Sequence, residues 1–246
     1  IATRCGATRA EVDSVALQSQ QRAYRAQQEG RFTSLVGITN DERGESITRD
    51  ECVRGELTLD DLAALPAAFA GIGAAGADNL QLQAYTELEQ IEHLHTAGNS
   101  PAMCDGAATL LLGSAELGAA LGIAPRARLV AAKTACAEPL EVLSGCITAT
   151  QALLSERGLA QSDVDLFELH EAFAATIIKA EQTLGIPDDK LNVNGGVIAL
   201  GHPMGATGAM MTGSLLDELE RSSLSLGLIA ASGAGGSGSA LLVERC

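Results

Sequence analysis

Three loops place a polar group directly after an apolar run, and each offers a distinct chemistry. They are "LHEAFAA" with His170 and Glu171, "GHPMGATG" with His202, and "ASGAGGSG" with Ser232. An imidazole in a loop is a general base or a hydrogen-bond donor. Small residues beside Ser232 expose main-chain N–H groups of the kind that stabilise an oxyanion. The histidine of "NVNGGVIALGHPMGATGAMMTG" (192–213) lies among glycines, so the loop reads either as a phosphate cradle or as a display for His202. Neither GxxxxGK[ST] nor the GxGxxG spacing is present, which disfavours the cradle. Plainer readings stay open. Gly195 and Gly196 also suit a simple turn, Glu171 a first-turn acid and the "ASGAGGSG" segment a glycine hairpin. No GxSxG surrounds Ser232, so a hydrolase nucleophile elbow is unsupported. His93 and His95 are assigned no chemistry.

The elements that must position these loops alternate between strand and helix. Thr8 and Glu11 have capping-box spacing, and Val12, Val15, Ala16, Ser19, Ala23 and Ala26 recur on one face of a helix closed by Gly30. From Phe32 to about Leu94 the chain reads as an irregular, extended lid or connector, with charge-rich turns and a Gly/Ala stretch at 71–76. Beyond it come a strand over Ala107–Leu112, a helix, and a strand at "ARLVAAKTAC". A helix at "CITATQALLSERG" and a short strand at "VDLFELH" follow. Next is a helix ended by Gly185 and Pro187, then one reaching Arg221, and two strands around the "ASGAGGSG" turn. This alternation predicts an α/β layered sheet.

Composition narrows the functions available. A net charge of −15 and the absence of any polybasic run argue against an electrostatic nucleic-acid footprint, although helix N-termini and main-chain N–H groups can still hold an anionic ligand. Aromatic residues make up 2% of the chain against 46% hydrophobic, so the core is built from Ala, Leu, Ile and Val. The six cysteines, at 5, 52, 104, 136, 146 and 246, include no CxxC and no His at zinc-ligand spacing. They read as small buried residues of a reducing compartment, and no metal is assigned. No signal segment or long apolar run is seen, so no membrane partner and a cytoplasmic location are expected.

Taken in order, "TAGNSPAMCDGAA" (96–108), "ELHEAFAA" (168–175), "NVNGGVIALGHPMGATGA" (192–209) and "ASGAGGSGSALLVE" (231–244) resemble the thiolase family. These are acyl-CoA acetyltransferases and 3-ketoacyl-CoA thiolases, which make or cleave 3-ketoacyl-CoA by Claisen chemistry. The resemblance spans essentially the whole chain. It implies a thiolase-like layered α/β fold, helices packed on mixed β-sheet, holding the C-terminal half plus the lid. Residues 1–92 would be the lid and loop region, 93–118 a remnant of the N-terminal half and 119–246 the C-terminal domain. Family members are dimers or tetramers, so an oligomer is implied, with acyl-CoA as substrate and no separate cofactor.

The resemblance also assigns roles by position. His202 matches the histidine that activates the nucleophilic cysteine and helps form the oxyanion hole. His170 stands where most members have Asn, in a "HEAF" form similar to thiolases of fatty-acid β-oxidation complexes, and would hold a water or donate directly. Ser100 would line the pantetheine tunnel, Phe173 would lie near the thioester, and Ala234 would offer its N–H.

Two departures follow. Ser232 replaces the family's acid/base cysteine, and a hydroxyl is a far weaker acid than a thiol of pKa ~8.5. Nothing matches the "CxS" loop that carries the nucleophile, and Cys104 falls where a polar residue of a structural turn is usual. Without a thiolate no acyl-enzyme forms. The chain alone is therefore expected to be inactive, and to need a segment upstream or a partner chain carrying the missing half. The alternative is a silent thiolase-like subunit that binds acyl-CoA or supports a partner.

Overall fold

A computed structural model describes all residues 1–246. The opening helix α1 (Arg9–Gln28) begins at the expected capping box, in which Thr8 and Glu11 satisfy each other's main-chain N–H groups. The lid contains a hairpin, β1 (Ile38–Asn40) with β2 (Glu45–Ile47), followed by α2 (Leu59–Ala63), α3 (Ala70–Ile72) and α4 (Asp78–Ala84). The Gly/Ala stretch that reads as irregular is in fact largely helical. It kinks where Gly76 takes φ 122°.

The second half comprises α5 (Ala115–Leu121), β3 (Ala127–Cys136), α6 (Gly145–Arg157), β4 (Leu166–Leu169), α7 (Ala174–Leu184), α8 (Val197–Leu200), α9 (Thr207–Arg221), β5 (Leu226–Ser232) and β6 (Ser237–Arg245). Four strands form one mixed sheet in the order β3-β6-β5-β4, with only β4 and β5 parallel. Side chains alternate across it, as the two-residue period of a strand requires. Phe167, Leu169, Leu228, Ala230, Ala240 and Leu242 meet α6 and α7 on one face, whereas Leu166, Ile229 and Val243 meet Met211, Leu215 and Leu219 of α9 on the other. Such strands are buried on both sides, which is why "LFEL" and "LGLIAAS" read as nearly continuous apolar runs.

Helix α1 is the third layer on the α7 side. Its small residues let it approach closely, and Val12 and Ala16 pack with Ala174, Ala175 and Ile178 of α7 and Ile198 of α8. The approach is tightest at Gly195, where a Cβ would lie 2.5 Å from the Ser19 carbonyl oxygen and φ is +77°. The loop ahead of His202 is therefore clamped to α1.

One expected element does not form. Residues 107–112 make no strand, and Leu111 and Leu112 are 76% and 64% exposed. A strand needs a neighbour to pair its N–H and C=O groups, and residues 107–112 pair with no strand of either sheet. The helix predicted after it is present as α5, but Leu117 and Leu121 are also exposed.

Candidate active site

The parallel pair β4–β5 ends on one side of the sheet, and three of the predicted residues are carried there. His170 follows β4, with its N–H donating to the Ala230 carbonyl of β5 at 2.9 Å. Ser232 is the last residue of β5. His202 arrives in the α8–α9 loop, anchored by its N–H to the Ala102 carbonyl at 2.8 Å. The two imidazoles meet with ring centroids 4.6 Å apart at an interplanar angle of 45°.

Their environments differ. His202 Nδ1 shares a 2.7 Å hydrogen bond with the hydroxyl of Thr207, the first residue of α9. This fixes the ring and leaves Nε2 without a side-chain partner. His170 is 5% exposed, and neither of its ring nitrogens has a partner. Burial, reinforced by the neighbouring His202, lowers its pKa from 6.5 to about 4, and burial also lowers that of His202. The pair is therefore neutral at pH 7, with one ring able to accept a proton and the other able to donate a hydrogen bond.

Because folded His170 binds fewer protons than unfolded His170 between pH 4 and 6.5, stability is lost as pH falls through that window. His95, likewise depressed to about 4 by burial, acts in the same direction. Glu168 and Glu171, both raised by burial, act in the opposite one. The diagnostic quantity is thus a difference between proteins. His170→Asn is expected to remove about 1.4 kcal/mol per pH unit from the pH dependence of unfolding between pH 4.5 and 6. Urea titrations of both proteins at several pH values measure it, and parallel profiles would refute a buried, neutral His170.

Ser232 is held differently from a free acid. Its Oγ accepts the N–H of Cys146 in the first turn of α6 at 2.9 Å, with the residue 9% exposed. Beyond it the chain turns through Gly235 and Gly236, both at positive φ. The N–H groups of Gly233 and Gly236 are taken by the carbonyls of Ser237 and Val142, whereas that of Ala234 enters none of these turn bonds. Phe173 stacks against His95 at 4.8 Å and Phe69 at 5.6 Å. The Ser100 loop docks beside it through the Ala174 N–H, which donates to the Asn99 carbonyl at 3.2 Å, and the Ser100 hydroxyl is buried without a partner. His95, given no role from the sequence, thus lies against a predicted substrate-binding ring.

Glu171 corrects a reading of the sequence. It is not a first-turn acid favouring the helix dipole, since α7 begins only at Ala174, but a hub, 3% exposed. One oxygen accepts from the Ser19 hydroxyl at 2.8 Å and the Ile198 N–H at 2.9 Å, and the other from Asn192 Nδ2 at 3.1 Å. It ties α1, the β4–α7 loop and α8 together just ahead of His202. Ser19 was legible only as a member of the packed face of the opening helix, and Thr207 only by its spacing of five from His202.

A mixed sheet covered on both faces, with a neutral histidine pair and small-residue turns at its strand ends, defines a layered α/β protein that gathers polar groups at one end of its sheet. Residues 1–82 match the family model described as "Thiolase, N-terminal domain" and residues 123–245 the one described as "Thiolase, C-terminal domain", and the chain belongs to the thiolase family. It is 37% identical to an acetyl-CoA acetyltransferase of Synechocystis, over 100% of this chain and 58% of that protein. It is 36% identical to a 3-ketoacyl-CoA thiolase of Yersinia pestis, over 97% and 58% respectively. The crystal structure of the Bacillus anthracis acetyl-CoA acetyltransferase superposes with a TM-score of 0.85 at 34% identity, covering 100% of this chain and 58% of that one. Human mitochondrial 3-ketoacyl-CoA thiolase gives 0.84 at 30% identity, covering 99% and 57%. The chain spans about 58% of the length of these curated relatives. No helix is long and apolar enough to cross a membrane.

Proposed function

We propose that these residues form the two-histidine part of an acyltransferase site that acts on acyl-CoA or 3-ketoacyl-CoA by thiolysis or Claisen condensation. The observation that carries the reading is the His170–His202 pair. His202 has one nitrogen tied and one open, and His170 has two buried nitrogens without partners. A thioester carbonyl oxygen or an ordered water placed between the rings would pair one nitrogen of His170 and receive a donor from each ring. In this scheme His202 takes the proton of a nucleophilic thiol, and the rings with the Ala234 N–H stabilise the oxyanion. Coenzyme A thioesters enter past Ser100 and Phe173 as substrate, and no metal or further cofactor takes part.

The nucleophile would come from outside these 246 residues, in further sequence of the same polypeptide or in a second chain. The exposed segment 107–112 and the apolar surface of α5 support such a neighbour, since pairing would convert that segment into the strand its composition favours. The residues on their own are expected to show no CoA-dependent cleavage of acetoacetyl-CoA. Added to a polypeptide bearing a thiolase N-terminal half with its "CxS" loop, they are expected to restore cleavage, measured as loss of the enolate absorbance. Cleavage by the 246 residues alone would overturn the assignment of the nucleophile.

The silent-subunit reading has one observation in its favour: the Ser232 hydroxyl is engaged with Cys146 where the family has its acid/base thiol. Thermal stabilisation by CoA without turnover, after the missing half is supplied, would select that reading.

A further inference from the structure

The acyl-transfer reading makes no use of two thiols that lie against the loop of His202. Cys52, in the lid, and Cys104, in the loop after Ser100, are both free and half-buried. Both sulfurs crowd the same backbone atom. A Cβ on Gly201 would stand 2.6 Å from Cys104 Sγ and 3.0 Å from Cys52 Sγ, and Gly201 has φ +84°. Only glycine suits both the angle and the space there.

The segments bearing them are held in place. The Arg54 N–H donates to Gln20 Oε1 at 2.7 Å, and Val53 packs on Ala199 and Leu200, which pins the lid arm to α1 and α8. On the other side of Gly201, Met103 bridges to His202. The two cysteines are thus presented to the same point over Gly201 by independently anchored segments, so that rotation of the two side chains is what brings the sulfurs together.

We propose that Cys52 and Cys104 are a thiol–disulfide site, closing reversibly across Gly201 and locking the lid arm and the 102–104 loop onto the segment that carries His202. With glutathione disulfide as oxidant, one thiolate attacks it and expels a glutathione thiolate. The second cysteine, deprotonated, then displaces the bound glutathione. Two electrons and two protons pass from the cysteines to two molecules of glutathione. Burial and the carboxylate of Asp50 raise both thiols, with Asp105 adding to this at Cys104 and Arg54 opposing it at Cys52. Closure is therefore faster at pH 9 than at pH 7.

The test is oxidation of the wild-type chain with glutathione disulfide, followed by non-reducing digestion and mass spectrometry. The expected result is one linked peptide joining Cys52 and Cys104, loss of two of the six free thiols, and full reversal by dithiothreitol. C52S and C104S should each abolish the link and leave reactivity at Cys136 and Cys246 unchanged. The wild-type map needs neither variant to fold. Linkage of either residue to another cysteine, stable glutathione adducts on both without an internal bond, or no thiol loss at 52 and 104 would each overturn the proposal. None of these outcomes depends on whether the chain transfers acyl groups.

Discussion

His202→Ala is expected to lower kcat/KM for acetoacetyl-CoA cleavage about a thousandfold in the enzyme reconstituted with the nucleophile-bearing half. A positioned base is worth roughly 10²–10⁴ in rate, and one oxyanion donor roughly 10²–10³. His202 is proposed for both roles at successive moments, so the two losses do not multiply. The residue is half-exposed, and its one side-chain hydrogen bond is to Thr207, so the fold should tolerate the change. The affinity for CoA, read by calorimetry, is accordingly expected to stay within about twofold. A loss in kcat/KM of tenfold or less would remove His202 from the proposed base and donor roles.

The second large effect concerns stability rather than chemistry. Glu171→Ala would strand the buried Ser19 hydroxyl and Ile198 N–H in one step and take one of two acceptors from the Asn192 amide, which keeps the Leu169 carbonyl. Each uncompensated donor costs roughly 1–3 kcal/mol. The loss is expected to be about 3–5 kcal/mol, below the simple sum because the site partly relaxes and because burying the carboxylate is itself unfavourable. Glu171→Gln keeps an acceptor and the shape, and should cost about 1–2 kcal/mol. Denaturant midpoints of the two variants decide the matter. Equal, small losses would show that the carboxylate is not the hub of this junction. Because Ile198 opens the segment leading to His202, Glu171→Ala should also reduce activity in the reconstituted enzyme.

Much of the scaffold was legible because its signals are local. The capping box at Thr8 and Glu11, the run "ARLVAAKTAC" and the Gly185–Pro187 stop of α7 each specify a boundary from neighbouring residues alone, and the fold keeps them. The histidines were legible because loops between apolar runs are where a rigid α/β scaffold displays reactive groups. The segment 107–112 was misread for a corresponding reason. Its apolar composition states what would pair well, whereas a strand exists only where another edge completes its hydrogen bonds.

Glu171 and the cysteine pair show the other limit. Spacing in sequence did not place Glu171 beside Ser19, 152 residues away, or Cys52 beside Cys104. Those encounters arise because α1 folds across α7 and α8 and brings the lid arm with it. By itself the sequence determined element types and singled out the two histidines and Ser232, since these are written in residue identity and short-range periodicity. Only the tertiary structure decided that both imidazoles share one site in neutral form, that Glu171 supports it from beneath, and that two thiols meet over Gly201. Burial and long-range contact set pKa values and partners, and neither is a property of any local stretch.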